Sequence, residues 1–216
     1  MKNKKNRKIW DNIFRKKKTW GQYPSEYLVR DVSNFQIDKK KINLLELGCG
    51  PGANFFLYIK ENIKFDALDI SGIAIKKSKD VIKKTRYKKA NLINDDFSYI
   101  KKTHKKYDII IDSASLCYIS EKEFKNLLKY IYSSLKKNGI FWSRIFGKKT
   151  TGFIKNSNFT IPIKGPIKGH GKTRVVSKNQ IKKLYGKIWR KIEIEEVLRT
   201  TSKNYVIQEF IIKSIK

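Results

Sequence analysis

Residues 44 to 53 read LLELGCGPGA, an apolar run with a single acid that breaks into three alternating glycines, Gly48, Gly50 and Gly52. An apolar run of this kind reads as a strand buried on both faces, and a strand that turns at once into a helix leaves few folds open. The glycines allow the backbone to bend sharply and to approach a ligand closely. The following segments repeat the alternation: ANFFLYIKEN (53–62) predicts a helix and KFDALDI (64–70) a second strand. A lysine-rich helix follows over 72–86, with Ile73, Ile75, Val81 and Ile82 available for its inner face, then a third strand in YKKANLI and the acidic turn NDDF. YDIIID (107–112) is the most β-branched strand, EKEFKNLLKYIYSSLKK (121–137) a long amphipathic helix stopped by Asn138-Gly139, and GIFWSRIF (139–146) a fifth strand. Strands that alternate with helices argue for an α/β fold, an open, mostly parallel sheet with helices on both faces.

Two helices precede the first strand. Trp10, Ile13 and Phe14 recur at helical spacing in KIWDNIFRKKK, with Trp10 a core anchor, and after the turn WGQYP, Ser25 can cap SEYLVRDVSNFQI. Residues 1–38 therefore read as an N-terminal helical cap on one domain over 39–216. Beyond Phe146 the texture changes to Gly, Lys, Ser and Pro, and residues from about 148 to 174 form a lid candidate before a short helix at SKNQIKKLY. IWRKIEIEEVLRT and YVIQEFIIKSI, separated by TSKN, read as a terminal hairpin that joins the sheet.

At 216 residues and 40% apolar content, the chain suits one core. Its net charge of +31 invites a nucleic-acid reading, yet only eight of its 50 basic residues are Arg, and Lys, Asn and Ile abound together as AT-rich coding would produce. The charge is read first as a solvated surface, with a nucleic-acid partner as the rival. No apolar stretch is long enough for a membrane span, and the N-terminus lacks the apolar centre of a signal peptide, so a cytoplasmic protein without a membrane partner is expected. Cys49 and Cys117 carry neither a disulfide framework nor metal-ligand spacing, and no metal is expected.

Gly48, Gly50 and Ala53 satisfy the GxGxxA dinucleotide fingerprint, and Gly52 also completes GxGxG, so an NAD pocket and an S-adenosylmethionine pocket are both open. Glu46 separates them: a carboxylate two residues before the first glycine would repel a pyrophosphate but suits a ligand that carries an ammonium and a sulfonium. Asp69 ends the second strand, where a carboxylate can accept from both ribose hydroxyls, as in NAD enzymes too. Asp96 follows the third strand and can receive an adenine amino group while Ile70 and Phe97 pack on the ring. Glu46, Asp69, Asp96 and Asp112 thus end four successive strands at the edge where open α/β sheets bind ligands.

With these motifs, LLELGCGPG, ALDIS, NDDF, YDIIIDSASLCYI and LKKNGIFWSRIFG, the chain resembles the class I S-adenosylmethionine-dependent methyltransferases over roughly residues 40 to 213. The resemblance implies a Rossmann-like seven-stranded sheet whose last strand is antiparallel. It implies that Glu46 and the Gly48, Cys49, Gly50 and Gly52 backbone hold the methionine part, Asp69 the ribose, and Asp96 with Phe97 the adenine. Asp112 and Ser113 would line the methyl-transfer face. WGQYPSE also looks like the stretch before the first strand in a subset acting on small molecules or sugars, which would place Trp20, Tyr23, Pro24 and Ser25 over the cofactor.

Methyl transfer from a sulfonium needs orientation and exclusion of water more than a large catalytic apparatus. His170 in KGHGKTR can act as a base on an acceptor hydroxyl or stand as a surface residue, whereas His104 in KKTHKKYD reads as solvated. Tyr118 can face the acceptor or pack under the lid. Cys117 lacks a preceding Pro and suits a small buried side chain rather than a nucleophile. Asp112-Ser113-Ala114-Ser115 is not the Asp/Asn-Pro-Pro-aromatic run that holds a base amine, and Arg144 and Arg174 flank the lid, where they could meet an anionic substrate. The expected reaction moves a methyl group to an O or N atom of a small-molecule or sugar-like acceptor, with His170, Asp112 and Tyr118 as candidate catalytic residues. The rivals are an RNA methyltransferase using the basic face of 76–89, an NAD-binding oxidoreductase, and a silent binding module.

Overall fold

The computed structural model describes residues 2–16, 23–35, 38–154 and 157–216. Its helices are α1 (Lys2–Lys16), α2 (Glu26–Asn34), α3 (Phe55–Lys60), α4 (Gly72–Thr85), α5 (Tyr99–Lys102), α6 (Glu121–Ser134) and α7 (Lys178–Tyr185). Its strands are β1 (Asn43–Leu47), β2 (Lys64–Asp69), β3 (Ala90–Asn94), β4 (Tyr107–Ser113), β5 (Leu135–Phe146), β6 (Phe159–Thr160), β7 (Thr173–Arg174), β8 (Lys191–Thr200) and β9 (Val206–Ile215).

Seven strands form one sheet in the order β3-β2-β1-β4-β5-β9-β8, and β6 with β7 makes a two-stranded ribbon. The mostly parallel sheet with an antiparallel last strand is therefore present. β9 enters between β5 and β8 and runs antiparallel to both. The chain divides into two compact units, residues 1–111 and 112–216.

In the first unit β1 pairs in parallel with β2, and β2 with β3. Leu44, Leu45, Leu47, Ala67 and Leu68 are fully buried, which explains why these strands read as continuous apolar runs. Burying such a leucine is worth about 2 kcal/mol, so the β1–β2 pair rigidly fixes the loop that leaves β1. On α4 the inner face is Ala74, Ile75 and Ser78, and Ile73, Val81 and Ile82 are only half-buried. The small side chains let α4 sit close to the sheet. α3 is shorter than its apolar pattern suggests, because Asn62 adopts a positive φ of 55° and ends it.

In the second unit α6 ends at Ser134, three residues before the expected stop, and β5 begins immediately. The Lys216 ammonium donates to the carbonyls of Tyr132 and Leu135 at 2.9 and 2.7 Å, satisfying acceptors that the last helical turn would otherwise leave bare. Asn138 then makes a left-handed turn inside the extended stretch. Trp142, Phe141, Phe210 and Ile212 fill this unit's core. β8 lies at the sheet edge and carries Glu193, Glu195 and Glu196, the charged pattern that blocks edge-to-edge pairing.

The lid candidate is anchored more firmly than its composition suggests. Thr150 Oγ1 donates to Gln208 O at 3.0 Å, and Lys149 N donates to Gln208 Oε1 at 2.8 Å, so β9 fastens its root. Ile167 and His170 are buried at its far end. Among the described residues no helix is long and apolar enough to cross a membrane.

Candidate functional site

The first unit builds its site at the exits of β1 and β2. Glu46 is buried at 1% exposure and accepts a hydrogen bond from Asn54 Nδ2 at 2.6 Å. The Asn54 Oδ1 in turn accepts from Ser25 N at 3.3 Å, so the acid is tied through one amide side chain to the start of α2. Burial, followed by the negative charge of Glu46, pushes the Tyr58 hydroxyl well above its ordinary range. Burial also raises the Cys49 thiol, with Asp69 and Glu46 adding to the effect, so Cys49 is a neutral packing group beside two acids.

The glycine loop satisfies its own donors. Gly48 N and Cys49 N both donate to Leu68 O at 2.7 and 2.9 Å, and Gly52 N donates to Cys49 O at 3.2 Å. Gly50 N donates to Asp69 Oδ2 at 2.8 Å. A pyrophosphate cradle needs such amides turned toward the ligand, whereas here these four are spent within the protein. Gly52 has a φ of +91°, and a Cβ there would stand 2.8 Å from the Phe55 ring. The α3 helix behind the loop has only six residues, which weakens the helix-end attraction expected from the sequence.

Asp69 is 7% exposed, and its second oxygen accepts from Ser71 N at 2.8 Å. Burial pushes its carboxyl up to about 6, against the lowering effect of the Ser71 and Gly50 amides, and the nearby Asp11 charge adds to the rise. Ile70 is half-buried, with its carbonyl accepting from Asn94 Nδ2 at 3.2 Å. Asp96 and Phe97 are half-buried after β3, and the Asp96 carboxylate accepts from Ser98 N at 2.8 Å.

The helical cap differs in detail from the expectation. Trp20 lies outside the described residues. Tyr23 is 82% exposed and is not packed over the loop. Ser25 occupies the N-cap position of α2 without a side-chain capping bond. It is α1 that meets the loop: the Phe14 ring lies 3.4 Å from where a Cβ on Gly50 would be, and Trp10, half-buried, packs on Phe14 with ring centroids 5.6 Å apart. Asp11 on the same helix accepts from Ser71 Oγ at 2.5 Å. Asp11, Asn54 and Ser71 are residues of this unit that sequence reasoning missed, and Phe14, expected on the apolar face of the helix, meets the glycine loop. Asp11 carried one signal, as the only acid in an otherwise basic helix.

In the second unit Asp112 is 1% exposed, and burial raises its carboxyl. One oxygen accepts from Ser115 N, Ser115 Oγ and Leu116 N at 2.8, 2.7 and 2.9 Å, and the other from Ser143 Oγ at 2.9 Å. With four donors on it, Asp112 is built into the turn after β4 instead of facing an acceptor as expected; Ser113, next to it, is half-buried. That turn ends in a single 3-10 turn, Leu116–Tyr118, which presents Tyr118. Tyr118 Oη lies 3.2 Å from His170 Nδ1, and the two rings meet edge to face. His170 is thus 7% exposed against Tyr118, not a surface loop residue. Burial holds the Tyr118 hydroxyl well above its usual range, so it stays a neutral phenol.

Arg174 is 1% exposed and does not stand at a lid rim ready for an anion. It stacks 4.0 Å over the Phe124 ring and donates to the carbonyls of Leu116 and Ile119, clamping the turn that carries Tyr118. Arg144 lies 3.5 Å from Glu209, a buried acid that Arg199 also meets at 3.3 Å. Cys117 is fully buried with its thiol on the Ala114 carbonyl, and burial raises it, as suits a structural cysteine. His104 is exposed. Among the described residues no group of His, Cys, Asp and Glu is arranged to hold a metal ion.

A family of methyltransferase domains matches residues 38–192. Malonyl-[acyl-carrier protein] O-methyltransferase 1 of Ilyobacter polytropus is 31% identical over 125 residues, covering 57% of this chain and 45% of that protein. The fold of TehB from Haemophilus influenzae superposes with a TM-score of 0.69 at 15% identity, covering 92% of this chain and 65% of that one. The 1,6-didemethyltoxoflavin-N1-methyltransferase of Burkholderia thailandensis, solved with 1,6-didemethyltoxoflavin and S-adenosylhomocysteine, gives a TM-score of 0.67 at 11% identity, covering 92% and 79%. This chain therefore spans about half the length of the curated relative it matches and about two thirds of TehB. With the family matched across most of its length and the sheet order that places β9 between β5 and β8, the chain belongs to the class I S-adenosylmethionine-dependent methyltransferases.

Proposed function

We propose that this protein transfers the methyl group of S-adenosylmethionine to an oxygen or nitrogen atom of a small-molecule or sugar-like acceptor. The observation that carries the cofactor half is the β1 exit: a buried acid, Glu46, ahead of a glycine loop whose amides at positions 48, 49, 50 and 52 already donate within the protein. A loop in that state offers little to a pyrophosphate, and its acids suit the ammonium and sulfonium of S-adenosylmethionine. Asp69 would take the ribose hydroxyls, and Asp96 with Ile70 and Phe97 the adenine.

S-adenosylmethionine supplies an activated methyl group. An acceptor hydroxyl or amine that took this methyl group would have to give up a proton. His170 is the group for that proton. An imidazole that receives it at Nε2 carries its own hydrogen on Nδ1, where Tyr118 Oη, 3.2 Å away, can accept it and hold the ring's tilt. Arg174 and Asp112 hold the turn from which Tyr118 projects. The names of similar proteins support both acceptor atoms, since one is an O-methyltransferase acting on malonyl-acyl-carrier protein and another an N1-methyltransferase.

A second reading draws on the exposed lysines of α4, Lys76, Lys79, Lys83 and Lys84, which could bind the phosphates of an RNA acceptor. Incubation with methyl-labelled S-adenosylmethionine and a panel of small hydroxyl, carboxyl and amine acceptors separates the two. Label in a small molecule at a rate indifferent to salt supports the proposal. Label only in RNA, lost steeply as salt rises, refutes it.

A further inference from the structure

The N-terminal helix touches the rest of the first unit in a way that its sequence does not explain as simple packing. α1 is a poor helix on its own. It has no acid in its first turn, and Lys4, Lys5, Arg7 and Lys8 crowd the end where the helix dipole repels positive charge. At 15 residues it is at the length where isolated helices are marginal in water. Its apolar stripe is narrow, and of Trp10, Ile13 and Phe14 only Phe14 is buried.

Polar fasteners at two points hold it to α4. Asp11 Oδ1 accepts from Ser71 Oγ at 2.5 Å and from Ile73 N at 3.3 Å, so its carboxylate sits on the first turn of α4. About one turn further along both helices, the Lys77 ammonium donates to the Phe14 carbonyl. Ser71, fully buried, is shared between two acids: its hydroxyl donates to Asp11 and its amide to Asp69. The same hydroxyl accepts from Ala74 N at 3.1 Å as the cap of α4. At the second fastener the Phe14 ring lies against the loop at Gly50, whose amide donates to Asp69. A weak helix thus rests on the glycine loop and on Ser71, whose amide donates to the proposed ribose acid Asp69.

We propose that α1 is a latch on the cofactor loop, closed by Asp11 on Ser71 and Ile73, and that its release sets how fast S-adenosylmethionine enters and leaves. The inference rests on the reading that the loop 48–52 and Asp69 hold the cofactor. Asp11 is a positioning residue in this scheme: it acts on the cofactor through Ser71 and the Phe14 ring.

The test compares full-length wild type with Asp11→Asn and Asp69→Asn, measuring S-adenosylhomocysteine association and dissociation by stopped flow and tryptic cleavage at Arg7 and Lys8. Removing the charged acceptor is expected to speed dissociation about tenfold, the effect of one charge-assisted bond, and to speed association as well. In wild type the ligand should slow cleavage of α1, and in Asp11→Asn that protection should be largely lost. Lys77→Met, which removes the second fastener and leaves Asp11 in place, should shift both readouts in the same direction and serves if Asp11→Asn fails to fold. Wild-type dissociation and protection in both latch variants, with binding weakened by Asp69→Asn, would overturn the latch and leave the cofactor site standing. Unchanged binding in Asp69→Asn would overturn the cofactor site and the latch with it.

Discussion

Replacing Asp69 by Asn tests the ribose end of the proposed site, and its effect can be worked out from four hydrogen bonds. Two exist already, from Gly50 N and Ser71 N, each at 2.8 Å to a different carboxylate oxygen. An Asn side chain has one acceptor oxygen, so its NH2 group must face one of these amides and strand a buried donor, which costs about 1–3 kcal/mol. The other two are the proposed bonds from the ribose hydroxyls, and losing one to a charged acceptor would remove about 1.5–3 kcal/mol. Since part of the first cost is also present without ligand, cofactor binding should weaken by about 2–4 kcal/mol, roughly 30- to 1000-fold in Kd.

The pH dependence sharpens the test. Burial raises the Asp69 carboxyl from 3.8 to about 6. In the proposed site the ionised form accepts from both hydroxyls, so affinity should be full above pH 6 and fall by about tenfold per unit below it. For stability the sign is opposite. The folded protein holds this proton more tightly than the unfolded chain does, so between pH 4 and 6 the group lowers stability as pH rises, by about 3 kcal/mol in total. Calorimetric titration of S-adenosylhomocysteine from pH 5 to 8, run on both proteins with parallel thermal melts, reads all of this. Wild type should show the break near pH 6, and Asp69→Asn a weak, flat profile. A variant Kd within threefold of wild type, or a variant profile that keeps the break, would refute the reasoning.

Glu46→Gln should weaken S-adenosylmethionine binding by about 1–3 kcal/mol, the value of a charge-assisted partner; an unchanged Kd in the same titration means that Glu46 only braces Asn54. His170→Ala should lower kcat about 100-fold, as for loss of a general base, and leave the cofactor Kd as it was, while Tyr118→Phe should lose about tenfold through poorer orientation of the ring. Full turnover in both would make the pair bystanders. Gly52→Ala should lose about 1–3 kcal/mol of stability in chemical denaturation, because a non-glycine residue at that positive φ is strained and its Cβ meets the Phe55 ring. A variant as stable as wild type would mean that the loop relaxes freely.

What was legible in the sequence follows from how local each feature is. The β1–loop–β2 unit was readable because strand burial, the glycines and the acids at strand ends are encoded within about ten residues of one another. The antiparallel last strand came from the family resemblance, and the hairpin pattern at the end of the chain agreed with it. The expected stop of α6 falls three residues late because the chain turns extended at Leu135 to enter β5, and the Lys216 ammonium that meets the Leu135 carbonyl lies 81 residues away in sequence. Asp112 looked like a ligand-facing acid because its neighbours in sequence, serines, gave no sign that Ser143, 31 residues away, would close its second oxygen. Arg174 looked like a rim residue for a related reason: the Phe124 ring that stacks on it belongs to a helix 50 residues earlier, and no local periodicity records such a contact. Asp11 and Asn54 were missed because polar residues on helices are ordinarily solvated, and only the packing of α1 and α2 turns them inward.

The central claim, that the β1 and β2 exits hold S-adenosylmethionine, is tested most directly by a crystal structure of the protein with S-adenosylhomocysteine. The expected result is a ribose with both hydroxyls within about 3 Å of the Asp69 carboxylate, the amino-acid end at the glycine loop above Glu46, and adenine between Ile70 and Phe97. A ligand bound away from Asp69 and the 48–52 loop, or one with its ribose hydroxyls in solvent, would contradict the account.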